Sequence, residues 1–312
     1  MRGFILAAGF GTRLRPLTNH VSKSLLPVCG TPLLHRRLQF LVTNGMAAIG
    51  VNSHYLHEQF VAFRKQCSVK FELFHESDSI RGSGGPLYVA RDFLAQSDVF
   101  CICNAEPLTM FDLSAEQRRF EASGSICTLL AASPEGEGTI CFHPETGEYA
   151  GPRTKIGCTP DLKRADFIGV ALYRKEFLDL LRPDDFSILP VWKRAQQNGL
   201  SVKAALVDNI YWRDIGTPAE YARIHFECLE GRFPLDIPST IKLDIKKKTA
   251  VNRALPEKDA DRLEEYVWCE ADSLPPDTLF SQCIILDGSS GLEGKKYITS
   301  RIISFGEHVA FE

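Results

Sequence analysis

The sequence predicts an α/β fold: a Rossmann-like, doubly wound sheet, mixed or parallel, followed by a short left-handed parallel β-helix. Short apolar runs alternate with amphipathic stretches of helical spacing over the first part of the chain. A glycine-rich turn follows the first apolar run, at a strand end where such sheets bind ligands. Near the end of the chain, apolar blocks recur every 18 residues, which is one turn of a β-helix.

Length and charge exclude several classes of protein. The 312 residues exceed the size of most single cores, so more than one domain is expected. A net charge of -3 without long charged blocks gives no sign of a nucleic-acid surface, and no apolar run is long enough to span a bilayer. The run at residues 4–8 is too short for a signal peptide. We therefore expect a cytoplasmic protein with no nucleic-acid or membrane partner.

The ten cysteines are scattered, with no Cys-x-x-Cys pair and no spacing typical of structural zinc. Because the chain has enough apolar residues to fold without cross-links, we expect all of them to be reduced thiols. Cys101 and Cys103 alternate along an apolar run, which predicts packing on one face of a strand.

The elements follow from the pattern in chain order. Strands are expected at residues 4–8, 47–51, 69–74 and 99–103, alternating with helices at 33–42, 56–63 and 85–94. Further strands are expected at 125–131, 139–142, 167–173, 202–207 and 210–212, with helices at 175–181, 189–198 and from Pro218 onward. Ligands are then expected in the loops 9–23, 52–55, 76–85 and 104–109.

The first of these loops is suited to binding a triphosphate. Gly9 and Gly11 leave backbone N–H groups open to an anion, Thr12 and Arg13 add a hydroxyl and a cation, and Lys23 is expected to supply a mobile ammonium. Two familiar glycine loops do not fit. A dinucleotide fingerprint needs a third glycine where Leu14 stands, and a P-loop needs Gly-Lys-Ser/Thr, whereas Ser22 precedes the lysine.

The order of residues resembles instead the signature of the sugar-1-phosphate nucleotidyltransferases, and so implies the nucleotide-diphospho-sugar transferase fold. One position departs, because the proline that this family carries before the lysine is Ser22. The resemblance implies nucleotide contacts at Leu6, Ala8, Gly9, Gly11 and Thr12. The residues that match the signature are Gly9, Gly11, Thr12, Arg13, Pro16, Thr18 and Lys23.

The loop 76–85 resembles the family segment that contacts the base and the sugar. Its small residues let a flat ring approach the backbone and leave the N-terminus of a helix facing it. The implied contacts are Glu76, Gly82, Gly84 and Gly85. On the neighbouring loop, Asn52 and His54 are weaker pocket candidates, with a helix cap or surface role as the alternative for His54.

Two carboxylates are implied as Mg²⁺ ligands. The family carries Gly-Asp after the fourth strand, where this chain has Asn104-Ala105-Glu106, so Glu106 is the candidate and Asp112 is the fallback. The position of Asp112 before a helix favours a capping or surface role. The segment 212–218 resembles the second hallmark of the family, whose aspartate is Asp214, with Thr217 expected to cap the next helix.

One family feature is missing. Many relatives carry Glu-Lys-Pro, whose lysine meets the sugar phosphate, and this chain has no such tripeptide. Arg153 and Lys155 are possible substitutes, although a solvated loop is the alternative. The strand at 167–173, with a small residue at Gly169, resembles the segment that lies along the sugar.

The implied reaction is attack of a sugar 1-phosphate oxygen on the α-phosphorus of an NTP, giving an NDP-sugar and pyrophosphate. We assign Arg13 to the leaving pyrophosphate, Lys23 to the α-phosphate and the sugar phosphate, and Glu106 with Asp214 to Mg²⁺. The alternative is a catalytically lapsed relative that binds a nucleotide or sugar nucleotide as a regulatory or scaffold subunit. Neither the base nor the sugar is determined by the sequence.

The C-terminal part has a period of its own. Blocks beginning at Tyr266, Ile284 and Ile302 lie 18 residues apart, and Leu279 and Tyr297 repeat at the same interval. We therefore divide the chain into a nucleotidyltransferase domain at 1–232, a connector at 233–263 and a short β-helix-like domain at 264–312. Such a module suggests a homo-oligomer formed through the C-terminal region.

Overall fold

The computed structural model describes residues 1–232, 236–287 and 295–311, and contacts divide the chain into two units. The first unit comprises residues 1–9 and 36–212, and the second comprises residues 10–35 and 213–312. The α-helices are Leu17–His20, Leu33–Thr43, His57–Gln66, Gly85–Val89, Arg91–Leu94, Leu113–Ser123, Arg153–Ile156, Ile188–Gln197, Pro218–Leu229 and Glu257–Ala260. Short 3-10 helices lie at Thr12–Leu14, Lys23–Leu25 and Lys175–Leu180.

The strands follow the same chain order. They are Arg2–Leu6, Pro27–Val28, Thr31–Pro32, Ala48–Ser53, Glu72–His75, Val99–Asn104, Leu108–Met110, Cys127–Ala132, Ile140–Phe142, Tyr149–Pro152, Lys163–Arg174, Val202–Leu206, Tyr211–Arg213, Ile241–Asp244, Thr249–Asn252, Val267–Cys269, Leu279–Ile285, Tyr297–Ser304 and Glu307–Ala310.

A mixed sheet forms the centre of the first unit. Arg2–Leu6 lies between Ala48–Ser53 and Val99–Asn104, and all three strands run parallel. Lys163–Arg174 then pairs antiparallel with Val99–Asn104 and with Cys127–Ala132. The parallel group follows the alternation of apolar runs and helices, which confirms the α/β prediction. The antiparallel strand makes the sheet mixed.

Helical spacing at 85–94 predicts one helix, but the structure has two short ones. Gly85–Val89 ends at Ala90, and Arg91–Leu94 begins directly after it. The buried side chains of both pieces still face the sheet core, which includes Leu87, Phe93 and Leu94. The periodicity therefore reports the buried face correctly and misses the break.

A disulfide corrects the prediction that all cysteines are reduced. Cys141, in the strand Ile140–Phe142, is bonded to Cys158. The bond closes a loop with a sequence separation of 17 and ties the irregular segment after residue 152 to the sheet. Cys101 and Cys103 are both fully buried with their Sγ atoms 3.4 Å apart, as the alternation predicts.

The second unit contains a six-stranded sheet built mainly from the repeats. Thr249–Asn252, Val267–Cys269, Leu279–Ile285 and Tyr297–Ser304 pair in parallel, one after another. Ile284 pairs with Ile302 and Leu279 with Tyr297, as the repeat predicts. The alignment of the first block is wrong by two residues, because Ile284 pairs with Trp268 and not with Tyr266.

The described part of the range 233–263, expected to be a connector, contributes two strands to this sheet. Ile241–Asp244 pairs antiparallel with Thr249–Asn252, which in turn pairs with Val267–Cys269. The sheet therefore begins well before residue 264. The structure shows a C-terminal sheet in which the repeat strands run parallel. The left-handed β-helix stays a prediction.

Candidate active site

The glycine-rich segment of the second unit packs tightly on itself. Gly11 has a φ of 63°, and a Cβ placed on it would lie 2.9 Å from Cβ of Lys23. The Thr18 hydroxyl donates to the Gly11 carbonyl oxygen at 2.9 Å. Gly11 is therefore required by backbone conformation and by close packing, in addition to any ligand contact.

Lys23 is not the mobile, exposed side chain that the sequence predicts. It is only 6% exposed and opens the 3-10 helix Lys23–Leu25, whose other two residues are also buried. Its carbonyl accepts from the Leu26 N–H at 3.2 Å. The correction matters for function because a buried lysine side chain has little freedom to move, so its charge is held in one place.

The two hallmark motifs meet within the second unit. Nη2 of Arg13 lies 3.8 Å from Oδ2 of Asp214, and these side chains are 64% and 37% exposed. Gly216 makes the approach possible, because a Cβ there would lie 2.5 Å from Nη1 of Arg13. The Arg13 guanidinium therefore lies beside the Asp214 carboxylate.

The residues on both sides of Asp214 are firmly held. Arg213 forms an ion pair with the buried Glu227 at 3.1 Å, a contact that no sequence motif indicated. On the other side, the Gly216 N–H donates to Glu220, and Thr217 caps the helix Pro218–Leu229 by accepting from the Glu220 N–H. The capping role predicted for Thr217 is confirmed, and it fixes the strand end that carries Asp214.

Glu106 lies in the first unit, directly after the strand Val99–Asn104. The N–H of the buried Ala105 donates to the Leu6 carbonyl at 3.0 Å, which continues the pairing of the two strands. A Cβ on Gly9 would lie 3.7 Å from Oε1 of Glu106, so the structure brings these two predicted residues together. Ala8, just before Gly9, is buried.

Arg37 is a buried cation near Glu106 and was not among the residues predicted from the sequence. Its guanidinium donates to the Thr109 hydroxyl at 2.7 Å and to the Pro107 carbonyl, and it is 3% exposed. Burial lowers the pKa of this guanidinium, while Cys103, Cys101 and Glu106 nearby act in the opposite direction. A signal was available, because Arg37 falls at helical spacing between Leu34 and Leu41, on the apolar face.

Glu76 and Asn52 form a buried pair that holds the loop after the strand Glu72–His75. The Asn52 amide donates to Oε1 of Glu76 at 2.7 Å, and Oδ1 of Asn52 accepts from the Ala7 N–H at 2.6 Å. Oε2 of Glu76 accepts from the Arg81 N–H at 2.7 Å, and its carbonyl accepts from Nδ1 of His54 at 2.6 Å. Both carboxylate oxygens of Glu76 therefore support the chain itself.

The glycines of the 82–85 loop have a structural reason that differs from the expected one. A Cβ on Gly82 would lie 2.2 Å from the Phe186 carbonyl oxygen, and one on Gly84 would lie 2.7 Å from that of Asp185. The N–H groups of Ser83 and Gly84 donate to the Phe186 carbonyl at 2.9 and 3.0 Å, and the Gly85 N–H donates to Arg81 at 3.2 Å. These donors are occupied by the protein, so they do not face a ligand in this conformation.

Other candidates have local roles. Arg153 pairs with Glu137 at 2.7 Å and donates to the Gly138 carbonyl at 2.9 Å, which makes it a clamp within its own segment. Asp112 caps the helix Leu113–Ser123 by accepting from the Ala115 N–H at 2.9 Å, as its position predicted. Gly169 has a φ of 74°, and a Cβ there would lie 3.1 Å from Cβ of Asn104.

Two negative findings apply to residues 1–232, 236–287 and 295–311. No group of three or more His, Cys, Asp and Glu side chains is placed to hold a metal ion there. No helix in this part of the chain is long and apolar enough to cross a membrane.

Residues 2–139 match the model of a family described as nucleotidyl transferase. Similar proteins include mannose-1-phosphate guanyltransferase beta-B of Xenopus laevis, 28% identical over 235 residues that cover 71% of this chain and 62% of that protein. Mannose-1-phosphate guanylyltransferase 1 of Arabidopsis thaliana is 28% identical over 256 residues, covering 77% and 68%. The chain thus spans less than two thirds of the length of the Xenopus relative.

Solved structures share the fold of a large part of this chain. A Bacillus anthracis protein assigned as a glucose-1-phosphate thymidylyltransferase, in complex with sucrose, aligns with a TM-score of 0.63 and 19% identity over 76% of this chain and 97% of that one. HddC of Yersinia pseudotuberculosis, complexed with GMP-PN, aligns with a TM-score of 0.59 and 18% identity, covering 72% and 97%.

Proposed function

We propose that the protein transfers a nucleotidyl group from an NTP to a sugar 1-phosphate, releasing pyrophosphate. The observation that supports it best is the approach of Arg13 to Asp214, made possible by Gly216, because it joins the two sequence hallmarks in one unit of the structure. An exposed arginine beside an exposed aspartate contributes little to stability. This pair is better explained as a group of charges kept for a charged substrate.

In this proposal the protein acts by positioning and by neutralising charge. Arg13 binds the pyrophosphate as it leaves, and Lys23, fixed by burial, binds the α-phosphate and the incoming sugar phosphate. The backbone of Gly9, Gly11 and Thr12 contacts the triphosphate. No covalent enzyme intermediate is needed, because the acceptor oxygen attacks the α-phosphorus directly.

We further propose that Glu106 and Asp214 hold Mg²⁺. The donor set suits this ion, since carboxylate oxygens are hard ligands and the phosphates supply the remainder. The Asp214 side chain is 37% exposed, so an ion can reach its carboxylate from solvent. Bound Mg²⁺ would neutralise charge on the phosphates and orient them.

One panel tests the activity: each NTP is combined with several sugar 1-phosphates, with and without Mg²⁺, and pyrophosphate release is measured. Activity should require Mg²⁺ and should be lost in Asp214→Asn, whereas Asp92→Asn, at a position 97% exposed, should leave it unchanged. Absence of pyrophosphate release from every pair, together with nucleotide binding, would favour the lapsed, regulatory alternative.

We also propose that the C-terminal strands are coils of a short left-handed β-helix that mediates homo-oligomer formation. Residues with left-handed backbone recur just before or within the paired segments, at Lys248, Tyr266, Gln282 and Ser300, as corners of stacked coils would. Leu279 and Tyr297, which pair in register, are 41% and 52% exposed. Leu279→Glu should therefore shift the mass measured by light scattering toward the monomer. An unchanged mass would refute this role.

The domain division at residues 232 and 263 and the cytoplasmic location stay predictions.

A further inference from the structure

The first unit contains a cavity of about 390 Å³ between its sheet and the helix Ile188–Gln197. Ile102, Leu129 and Ala171 of the sheet line it, as do Ile188 and Trp192 of the helix. Its volume is that of about a dozen water molecules at roughly 30 Å³ each. The cavity is therefore large enough for part of a small ligand.

The cavity reaches the strand ends where the predicted chemistry lies. Leu6 and Asn104 both line it, and they are register partners at the ends of their parallel strands. Gly9 and Glu106, which lie close together, follow these two residues in the chain. A ligand bound at Glu106 would therefore be near the mouth of the cavity.

No lining residue is charged, and all of them belong to the described part of the chain. The hydroxyls of Ser83 and Thr139 already accept from backbone N–H groups, at 3.0 and 2.8 Å. The Trp192 indole N–H donates to the Tyr173 hydroxyl at 3.2 Å. Because most of the lining is apolar, a polyhydroxylated sugar ring enclosed there would lose more hydrogen bonds to water than it would regain from the protein, which is unfavourable.

Among the buried polar side-chain atoms of the described lining, the Tyr149 hydroxyl is the exception. The residue is 6% exposed, and its Oη has no hydrogen-bond partner among the residues that the structure describes. Its ring stands edge-on to Trp192, with centroids 5.4 Å apart, so it is held in place. Burial raises the pKa of this phenol, so the hydroxyl keeps its proton and is a donor without an acceptor. Leaving such a donor unpaired is unfavourable, which points to a ligand atom that accepts from it.

We propose that the cavity binds the acyl substituent of an acylated sugar 1-phosphate, with the Tyr149 hydroxyl donating to the acyl carbonyl oxygen. An acyl group offers an alkyl part to the apolar walls and a single strong acceptor, which is the combination that the lining provides. The inference rests on the proposed function, which identifies the rest of the ligand as a sugar 1-phosphate.

Two ligands that differ in one substituent test it: N-acetylglucosamine 1-phosphate and glucose 1-phosphate, without NTP. Equilibrium binding to the wild-type chain should be about tenfold tighter for the acylated ligand, the low end of what one apolar group in a fitted pocket supplies. Tyr149→Phe should remove this preference. Tyr88→Phe, a tyrosine of the same unit whose ring packs on Arg91, should retain it. Because the hydroxyl is unpaired without ligand, Tyr149→Phe should unfold at a temperature equal to or above that of the wild type.

Equal binding of the two ligands, no binding of either, or an unchanged preference in Tyr149→Phe would overturn the inference. A lower unfolding temperature in Tyr149→Phe would also overturn it, since the hydroxyl would then serve the fold. The result is separable from the proposed function. A preference without pyrophosphate release would refute the transferase and keep the acyl site, and release from unacylated acceptors without a preference would do the reverse.

Discussion

Adding one methyl group at Gly216 should separate Arg13 from Asp214 without changing any charge. A Cβ there would lie 2.5 Å from Nη1 and 2.7 Å from Cζ of Arg13. Gly216 has no left-handed φ, so alanine can adopt its backbone conformation. The atoms that must yield belong to the end of a flexible side chain, which can swing toward solvent.

The size of the effect follows from these distances. Ordinary contact between such atoms begins near 3.5 Å, so the guanidinium must move by about 1 Å. An exposed ion pair contributes at most about 1 kcal/mol, so the free energy of unfolding should change little. A misplacement of this size at a reacting phosphate can lower the rate by roughly 10²-fold. We therefore expect Gly216→Ala to reduce turnover strongly at nearly constant stability.

Turnover is measured as pyrophosphate release, and stability is measured by thermal unfolding of the same preparation. Gly136→Ala is the matched control, since a Cβ at Gly136 would meet nothing within 4 Å and its φ is also ordinary. Wild-type turnover in Gly216→Ala would refute the role of the Arg13 position. A large loss of stability would show that Gly216 serves packing instead.

Three further predictions concern single groups. Lys23→Ala should lower turnover on the order of 10²-fold or more and should also lower the unfolding temperature, since the side chain is buried; normal turnover would remove Lys23 from the site. Glu106→Asp should cut Mg²⁺-dependent pyrophosphate release by roughly 10²-fold by drawing the carboxylate back, and Glu106→Gln should cut it further; a gain with aspartate would indicate a lapsed enzyme. Alkylation of the denatured chain without reductant should modify eight cysteines and spare Cys141 and Cys158, counted by mass spectrometry, whereas ten modified thiols would contradict the disulfide. That cross-link should stabilise the fold by about 3 kcal/mol.

Local patterns predicted what local interactions determine. The parallel strands around Arg2–Leu6 follow from short apolar runs between helices, and the cap at Thr217 follows from its place before Pro218. Arg13 and Asp214, which two separate motifs assign to one reaction, lie 3.8 Å apart, although the sequence did not predict a contact between them. The strands and the cap depend on a few neighbouring residues, which a sequence displays directly.

What the sequence did not reveal depends on distant parts of the chain. Gly82 and Gly84 are required by the backbone of residues 185 and 186, so their lack of side chains does not by itself indicate space for a ligand. The partners of Glu76 come from another strand and from its own loop. A glycine or a carboxylate looks the same in a sequence whether its partner is a substrate or the protein itself.

The role of the C-terminal region also depends on residues that are distant in the sequence. Its sheet belongs to the same unit as residues 10–35, which include most of the glycine-rich loop. Glu270 accepts from the Gly30 N–H at 3.0 Å and from the Trp268 indole at 2.8 Å. Nε2 of the fully buried His225 accepts from the Cys29 N–H at 3.0 Å, and its ring lies edge-on to Trp268. These bonds fix the backbone just after Lys23, in a place where buried donors need partners. Beside the association proposed for it, the C-terminal region therefore supports the segment that carries Lys23, the lysine proposed to bind phosphate.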